Sequence, residues 1–68
     1  MKYKIEEIRN IRGYTQKDLA EKSGVSRATI NGLESGRIVN TTTNILIKIA
    51  EALDVSVSEI LDGGVIDE

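Results

Sequence analysis

Residues 15–34 read TQKDLAEKSGVSRATINGLE, and this stretch decides the fold. Thr15 is a favourable helix N-cap, and Asp18 three positions later places a carboxylate beside free backbone N–H groups. Gly24 follows the last turn of the helix, where a left-handed residue is usually needed and glycine adopts that conformation without a Cβ penalty. The stretch therefore predicts a short helix over residues 15–23 that ends in a tight turn.

A second helix follows the turn directly. Ser26 is its N-cap, and Ile30 and Leu33 are its apolar positions, spaced to face a core. The helix extends to Ser35, and Val25 provides an apolar contact between the two helices. Two short helices joined by a turn of three to four residues that contains glycine form a helix-turn-helix.

This stretch and its flanks resemble the helix-turn-helix of the Cro/C1-type (XRE) family of phage and bacterial repressors. The matching residues are Arg9, Gly13, Thr15-Gln16, Leu19-Ala20, Ser23-Gly24-Val25-Ser26, Thr29-Ile30, Leu33-Glu34, Gly36-Arg37, Ile49-Ala50, Ala52-Leu53 and Val55-Ser56. The likeness covers roughly residues 4–62. It implies an all-α, lambda-repressor-like bundle of five helices with the helix-turn-helix at helices 2 and 3.

Helix 1 is predicted over residues 3–12. Ile5 and Ile8 recur at helical spacing, and either Ile11 or Arg12 continues the pattern.

Helix 4 is predicted over residues 44–53, and a threonine just before it supplies the N-cap. Its inward positions are Leu46, Ile49, Ala50 and Leu53. Ser56 and Glu59 form a capping box that opens a short helix 5 through Leu61.

The composition excludes several classes of protein. The chain has 68 residues, enough for one domain, with an ordered core expected over about residues 3–62 and an acidic tail over residues 63–68. It contains no Cys and no His, which removes disulfides, thiolate chemistry and the commonest general base and metal ligand. It has no apolar run of membrane-spanning length and no secretory signal. We therefore expect no enzyme activity, metal, cofactor, small-molecule ligand or membrane association, and a cytoplasmic location.

Charge is distributed unevenly along the chain. Residues 1–48 contain all nine Lys and Arg and five acidic residues, a net charge of +4. Residues 49–68 contain six acidic residues and no basic residue, a net charge of −6. Such asymmetry can orient a protein on DNA, although ordinary solvated helix surface also accommodates it.

The resemblance implies that helix 3 lies in the major groove of double-stranded DNA with its N-terminal residues near base edges. Carried over by position, the base-contacting residues are Ser26, Arg27, Ala28, Asn31 and Gly32. The guanidinium of Arg27 can pair with a guanine or contact a phosphate, and Asn31 can pair with an adenine or face solvent. The methyl group of Ala28 suits a thymine methyl. Gly32 costs about 1 kcal/mol against Ala in a helix, which indicates either close approach of another group or simple tolerance.

The resemblance also implies phosphate contacts. The candidates are Gln16, Lys17, Thr29, Arg37 and Asn40. Gln16 is the first residue of helix 2, where the helix amides carry partial positive charge. Lys17 and Thr29 are also compatible with ordinary helix surface. The family pattern further places Arg9 late in helix 1 against Glu34 late in helix 3, which predicts a partly buried ion pair.

These features imply a sequence-specific DNA-binding transcriptional regulator that acts as a repressor. Helix 3 alone contacts few base pairs, so useful specificity favours a homodimer on a palindromic operator. The candidates for a weak dimer interface are the loop at Ile38-Val39 and the C-terminal segment 55–66, with the apolar pair Val65-Ile66. The connection 38–43 lacks the Pro-Ser-type turn usual in the family, so the resemblance leaves its geometry open. An alternative is a protein-interaction module, such as an antitoxin or adaptor, that docks through its acidic C-terminal third.

Overall fold

The computed structural model describes residues 3–61, which form a bundle of five α-helices. The helices are α1 (Ile5–Arg12), α2 (Gln16–Ser23), α3 (Arg27–Ser35), α4 (Thr43–Leu53) and α5 (Val57–Ile60). The predicted all-α, five-helix architecture is confirmed. The acidic tail predicted over residues 63–68 lies outside the described residues.

Local capping sets most of the helix boundaries. Four helices begin with a side-chain cap, in which the capping oxygen accepts a hydrogen bond from the backbone N–H three residues later. The caps of α2, α3, α4 and α5 are Thr15, Ser26, Thr42 and Ser56. Gly24 ends α2 with a φ of 76°, a left-handed conformation that glycine adopts without steric cost. The predicted boundaries of α2 and α3 are confirmed to within a residue.

The apolar faces of the helices meet in one core. α2 packs against α3 and α4, α1 packs against the same two helices, and α5 packs against α4. The side chains with essentially no exposed surface are Ile5, Leu19, Ile30, Leu33, Ile49, Leu53 and Ile60. All four inward positions predicted for α4 are buried. One face of α3 therefore lies in the core, and the opposite face is exposed.

The two ends of the described chain differ from the prediction. Tyr3 and Leu61 are predicted to be helical, but they form an isolated antiparallel bridge. The N–H of Lys4 also donates to the carbonyl oxygen of Ile60 at 2.7 Å. Because this backbone pairing runs between distant segments, α1 begins only at Ile5 and α5 ends at Ile60.

The apolar face of α1 is also shorter than predicted. Ile11 is 81% exposed, so it does not extend the core. The guanidinium of Arg12 donates to the carbonyl oxygens of Leu53 at 2.9 Å and Asp54 at 3.3 Å. These carbonyls lie at the C-terminus of α4, where the helix dipole favours a cation. Arg12 thus caps α4 instead of packing in the core.

Candidate nucleic-acid interface

The N-terminus of α2 carries a complete capping box. The Thr15 hydroxyl accepts a hydrogen bond from the N–H of Asp18, and the Asp18 carboxylate accepts one from the N–H of Thr15, both at 3.0 Å. These bonds, above all the one from the Thr15 backbone, hold the pKa of Asp18 below its ordinary value. The amides of Gln16 and Lys17 lie in the first turn, where N–H groups have no acceptor within the helix. They can serve an external acceptor such as a phosphate oxygen.

α3 presents one continuous face to solvent. The exposed residues of this helix are Arg27, Ala28, Asn31 and Ser35. Residues spaced four apart lie on the same side of a helix, so these four form a single stripe along α3. Arg27 places the one long cationic side chain of the stripe at its N-terminal end. The major groove of B-DNA admits an α-helix, and Arg27 and Asn31 are side chains that can pair with base edges there.

The hydroxyl groups of Ser26 and Thr29 are hydrogen-bonded to each other. The Ser26 oxygen accepts from the N–H of Thr29 at 3.2 Å, and its hydroxyl donates to the Thr29 hydroxyl at 2.9 Å. The Ser26 hydroxyl proton thus faces Thr29, and Ser26 itself is exposed. Thr29 is half-buried and keeps its own hydroxyl proton as a donor.

Gly32 does not lie on the exposed face, so its assignment as a base-contacting residue is wrong. The residue is buried because the side chain of Ile38 folds back over it. A Cβ at residue 32 would lie 2.7 Å from Cγ1 of Ile38 and 3.2 Å from Nη2 of Arg37. The close approach that this glycine indicates is therefore made by the protein itself.

Three helices meet at the carboxylate of Glu34, which is only 5% exposed. Nε and Nη2 of Arg9 donate to its two oxygens at 2.8 and 3.2 Å, and Nε2 of Gln16 donates to Oε1 at 2.9 Å. Nη1 of Arg9 also donates to the carbonyl oxygen of Tyr14 at 2.8 Å. The hydrogen bond to Glu34 raises the pKa of Arg9 further, although burial opposes the shift. The ion pair expected from the family pattern is thus present, and Gln16 joins it, a contact that the sequence does not reveal.

The remaining candidate cations are exposed. Within residues 3–61, the Arg9–Glu34 pair is the only salt bridge. Lys17, Arg27 and Arg37 are exposed, as is the Asn40 side chain. Lys17 and Arg27 lie at the starts of α2 and α3, and Arg37 follows the end of α3. Arg27 therefore begins the exposed stripe of α3, and Arg37 follows the C-terminal end of the helix.

The connection between α3 and α4 is fixed by contacts that local sequence rules do not show. The Tyr3 hydroxyl donates to the carbonyl oxygen of Val39 at 2.8 Å. Ile38 is half-buried over Gly32, so it is not part of an exposed apolar pair, whereas Val39 is 49% exposed. The second apolar pair considered for a dimer interface, at positions 65 and 66, lies outside the described residues.

The described part of the chain offers no group of acidic side chains that could hold a metal ion. Across residues 3–61 there is also no ligand-sized cavity. None of the five helices has the length and apolar character needed to cross a membrane.

Comparison with known proteins identifies the family. A family model described as helix-turn-helix matches residues 5–60. The HTH-type transcriptional regulator SinR of Bacillus subtilis is 36% identical over 59 residues, which is 87% of this chain and 53% of SinR. The HTH-type transcriptional regulator MJ0272 of Methanocaldococcus jannaschii is 38% identical over 60 residues, which is 88% of this chain and 89% of that protein.

Structural comparison gives the same result. The crystal structure of SinR, the master regulator for biofilm formation, in complex with DNA superimposes with a TM-score of 0.83 at 36% identity. The match covers 87% of this chain and 94% of the SinR chain in that crystal. This chain spans about half the length of the whole SinR protein. The relatives are transcriptional regulators and not enzymes, as the sequence predicts. The chain belongs to the Cro/C1-type (XRE) family of helix-turn-helix proteins.

Proposed function

We propose that this chain is a sequence-specific DNA-binding transcriptional regulator that acts as a repressor and contacts the major groove with α3. The observation that carries the proposal is the exposed stripe of α3, which has Arg27 at its N-terminal end and the exposed Arg37 just after the helix. A relative of 36% identity has been crystallised with DNA, which supports the same partner here.

Three side chains of the stripe supply the base contacts. Arg27 offers two parallel N–H donors, which match O6 and N7 of a guanine. Ala28 lies beside it and suits the methyl group of a thymine. Asn31, one turn further along, pairs with N6 and N7 of an adenine.

Phosphate contacts orient α3 in the groove. Gln16 donates one amide hydrogen to Glu34, which fixes its side chain, and its second hydrogen remains for a phosphate. The backbone amide of Gln16 adds the partial positive charge of the α2 terminus. Lys17, Thr29 and Asn40 complete the set, and none of them carries sequence information by itself.

The functional unit in this proposal is a weak homodimer on a palindromic operator. A closed two-fold dimer doubles the number of base pairs contacted and is the commonest symmetric assembly. Its two copies of α3 would lie about 34 Å apart, one turn of DNA. Val39, which is 49% exposed in the connection after α3, is the described apolar residue that best fits the interface.

In-vitro selection from a random DNA pool tests the proposal. The wild-type protein is expected to enrich a two-fold symmetric site, and Arg27→Ala should cost about 1–3 kcal/mol on it and relax preference at one base pair in each half. Lys17→Ala is the control, because losing a phosphate contact weakens all sequences alike and lowers the salt slope by about 1. Absence of binding to any fragment at low salt would refute DNA binding and favour a protein-interaction module. Enrichment of a single unpaired half-site would refute the dimer alone.

A further inference from the structure

Arg37 differs from the other exposed cations because backbone contacts fix the segment that carries it. Gly36 ends α3 with a φ of 85°, and the N–H of Arg37 donates to the Ser35 hydroxyl at 3.3 Å. That hydroxyl donates to the carbonyl oxygen of Gly32 at 3.2 Å, and the N–H of Ile38 donates to the same oxygen at 2.9 Å. The chain after α3 is therefore tied back onto the last turns of the helix.

The Arg37 guanidinium lies against α3 and does not extend away from it. Its Nη2 is 3.2 Å from the point where a Cβ of residue 32 would lie. Ala28 is four residues before Gly32, so the two smallest residues of α3 lie on one side of the helix. A methyl group and a hydrogen atom leave room along this side. The guanidinium occupies the place that a longer side chain at residue 32 would take.

We propose that Arg37 contacts a base edge in the major groove and determines sequence preference together with Arg27. This proposal rests on the DNA-binding function proposed above and replaces the phosphate contact expected for Arg37 from the family resemblance. The planar guanidinium suits a guanine, whose O6 and N7 accept two parallel hydrogen bonds. Residues 27 and 32 are about 7.5 Å apart along the helix axis, roughly two base-pair steps. The base pair that Arg37 contacts is therefore a different one from that of Arg27.

Selection experiments with Arg37→Ala and Arg37→Lys test the proposal. Arg37→Ala is expected to lower affinity for the selected site about 5- to 150-fold and to remove the preference at one base pair that Arg27→Ala leaves intact. Affinity for random competitor DNA should fall much less. Arg37→Lys keeps the charge and the salt dependence but loses most of the preference, because an ammonium lacks the planar fork.

A contact with phosphate alone gives a different result. In that case Arg37→Ala weakens all sequences equally and reduces the slope of log K against log salt by about 1, which would overturn the proposal. Lys48→Ala removes an exposed cation from α4 and is the matched control, and it should leave every base preference in place. If the wild-type protein enriches no sequence, the proposed sequence-specific DNA binding itself fails. If it enriches a site that Arg37→Ala still prefers at every position, only the role of Arg37 fails.

Discussion

Replacement of Glu34 by alanine is expected to destabilise the fold by about 3 kcal/mol. The carboxylate is 5% exposed and accepts hydrogen bonds from Arg9 and Gln16. Its removal leaves the Arg9 guanidinium, whose side chain is 12% exposed, with a single acceptor at the Tyr14 carbonyl. Breaking a buried pair typically costs about 3–5 kcal/mol because it leaves a buried charge unpaired. The remaining bond to Tyr14 and the partial solvent contact place the loss at the lower end of that range.

A loss of this size is a large share of the total stability. A chain of 68 residues is expected to have an unfolding free energy of roughly 3–10 kcal/mol. Glu34→Gln is therefore a useful second variant, because it keeps one oxygen acceptor but replaces the charge and the other oxygen with an NH2 group that faces a donor of Arg9 or Gln16. Its expected loss is at least about 1–2 kcal/mol, the difference between a charged and a neutral hydrogen-bond partner.

Urea denaturation followed by circular dichroism measures the unfolding free energy of both variants. The comparison with the wild type is valid if the m-value is unchanged. The double variant Arg9→Met with Glu34→Leu removes both charges, and it should recover most of the loss because a buried pair contributes little net stability. A loss below about 0.5 kcal/mol for Glu34→Ala, as for a surface substitution, would refute the reasoning. A double variant as unstable as Glu34→Ala would show that the loss of unfolding free energy comes from losing the ion pair itself and not from leaving the Arg9 cation unpaired.

Two further predictions concern helix ends. The capping box lowers the pKa of Asp18 from its ordinary value of 3.8, so its contribution to stability is present above that pH and is lost as the pH falls through the folded-state pKa. Asp18→Asn should therefore lower Tm near neutral pH but have a shrinking effect in acid, with Glu21→Gln as the control for charge on the same helix. Asp54, which ends α4 with a φ of 60°, is the one described non-glycine residue with a positive φ. Asp54→Gly should raise the unfolding free energy by up to about 1 kcal/mol, and Asp54→Ala should lower it; a loss with glycine in urea denaturation would contradict the assigned strain.

The N-terminal ends of α2, α3 and α5 could be predicted because their capping is local. In each case the donor and the acceptor are three residues apart, at Thr15, Ser26 and Ser56. The register of α4 could be predicted for a similar reason, since apolar residues at helical spacing suffice to identify its buried face. The exposed stripe of α3 follows from the same periodicity, and the roles of its residues at DNA stay predictions.

Contacts between distant segments could not be predicted from these rules. The bridge between Tyr3 and Leu61 and the capping of α4 by Arg12 depend on how the helices pack, which local propensity does not determine. Gly32 was partly predictable. Glycine destabilises a helix relative to alanine, and its presence here correctly indicates that another group lies close to the backbone of α3. An apolar residue soon after a helix-ending glycine often packs back on the last turns, and this rule identifies Ile38 as the group that approaches.

The two sides of α3 should respond differently to substitution. Away from the stripe, Glu34 ties the helix to α1 and α2, and at the edge of the stripe Gly32 is covered by Ile38, so changes at these positions alter packing or strand a charge. On the exposed stripe, Arg27 and Asn31 make no hydrogen bond to another described side chain, and surface substitutions of this kind usually change stability by less than about 0.5 kcal/mol. Side chains on the stripe can therefore be replaced without loss of the fold, whereas the orientation of the stripe depends on buried residues outside it. A helix held rigidly before binding loses little entropy when it docks, so the affinity of the complex depends strongly on whether its few base contacts match.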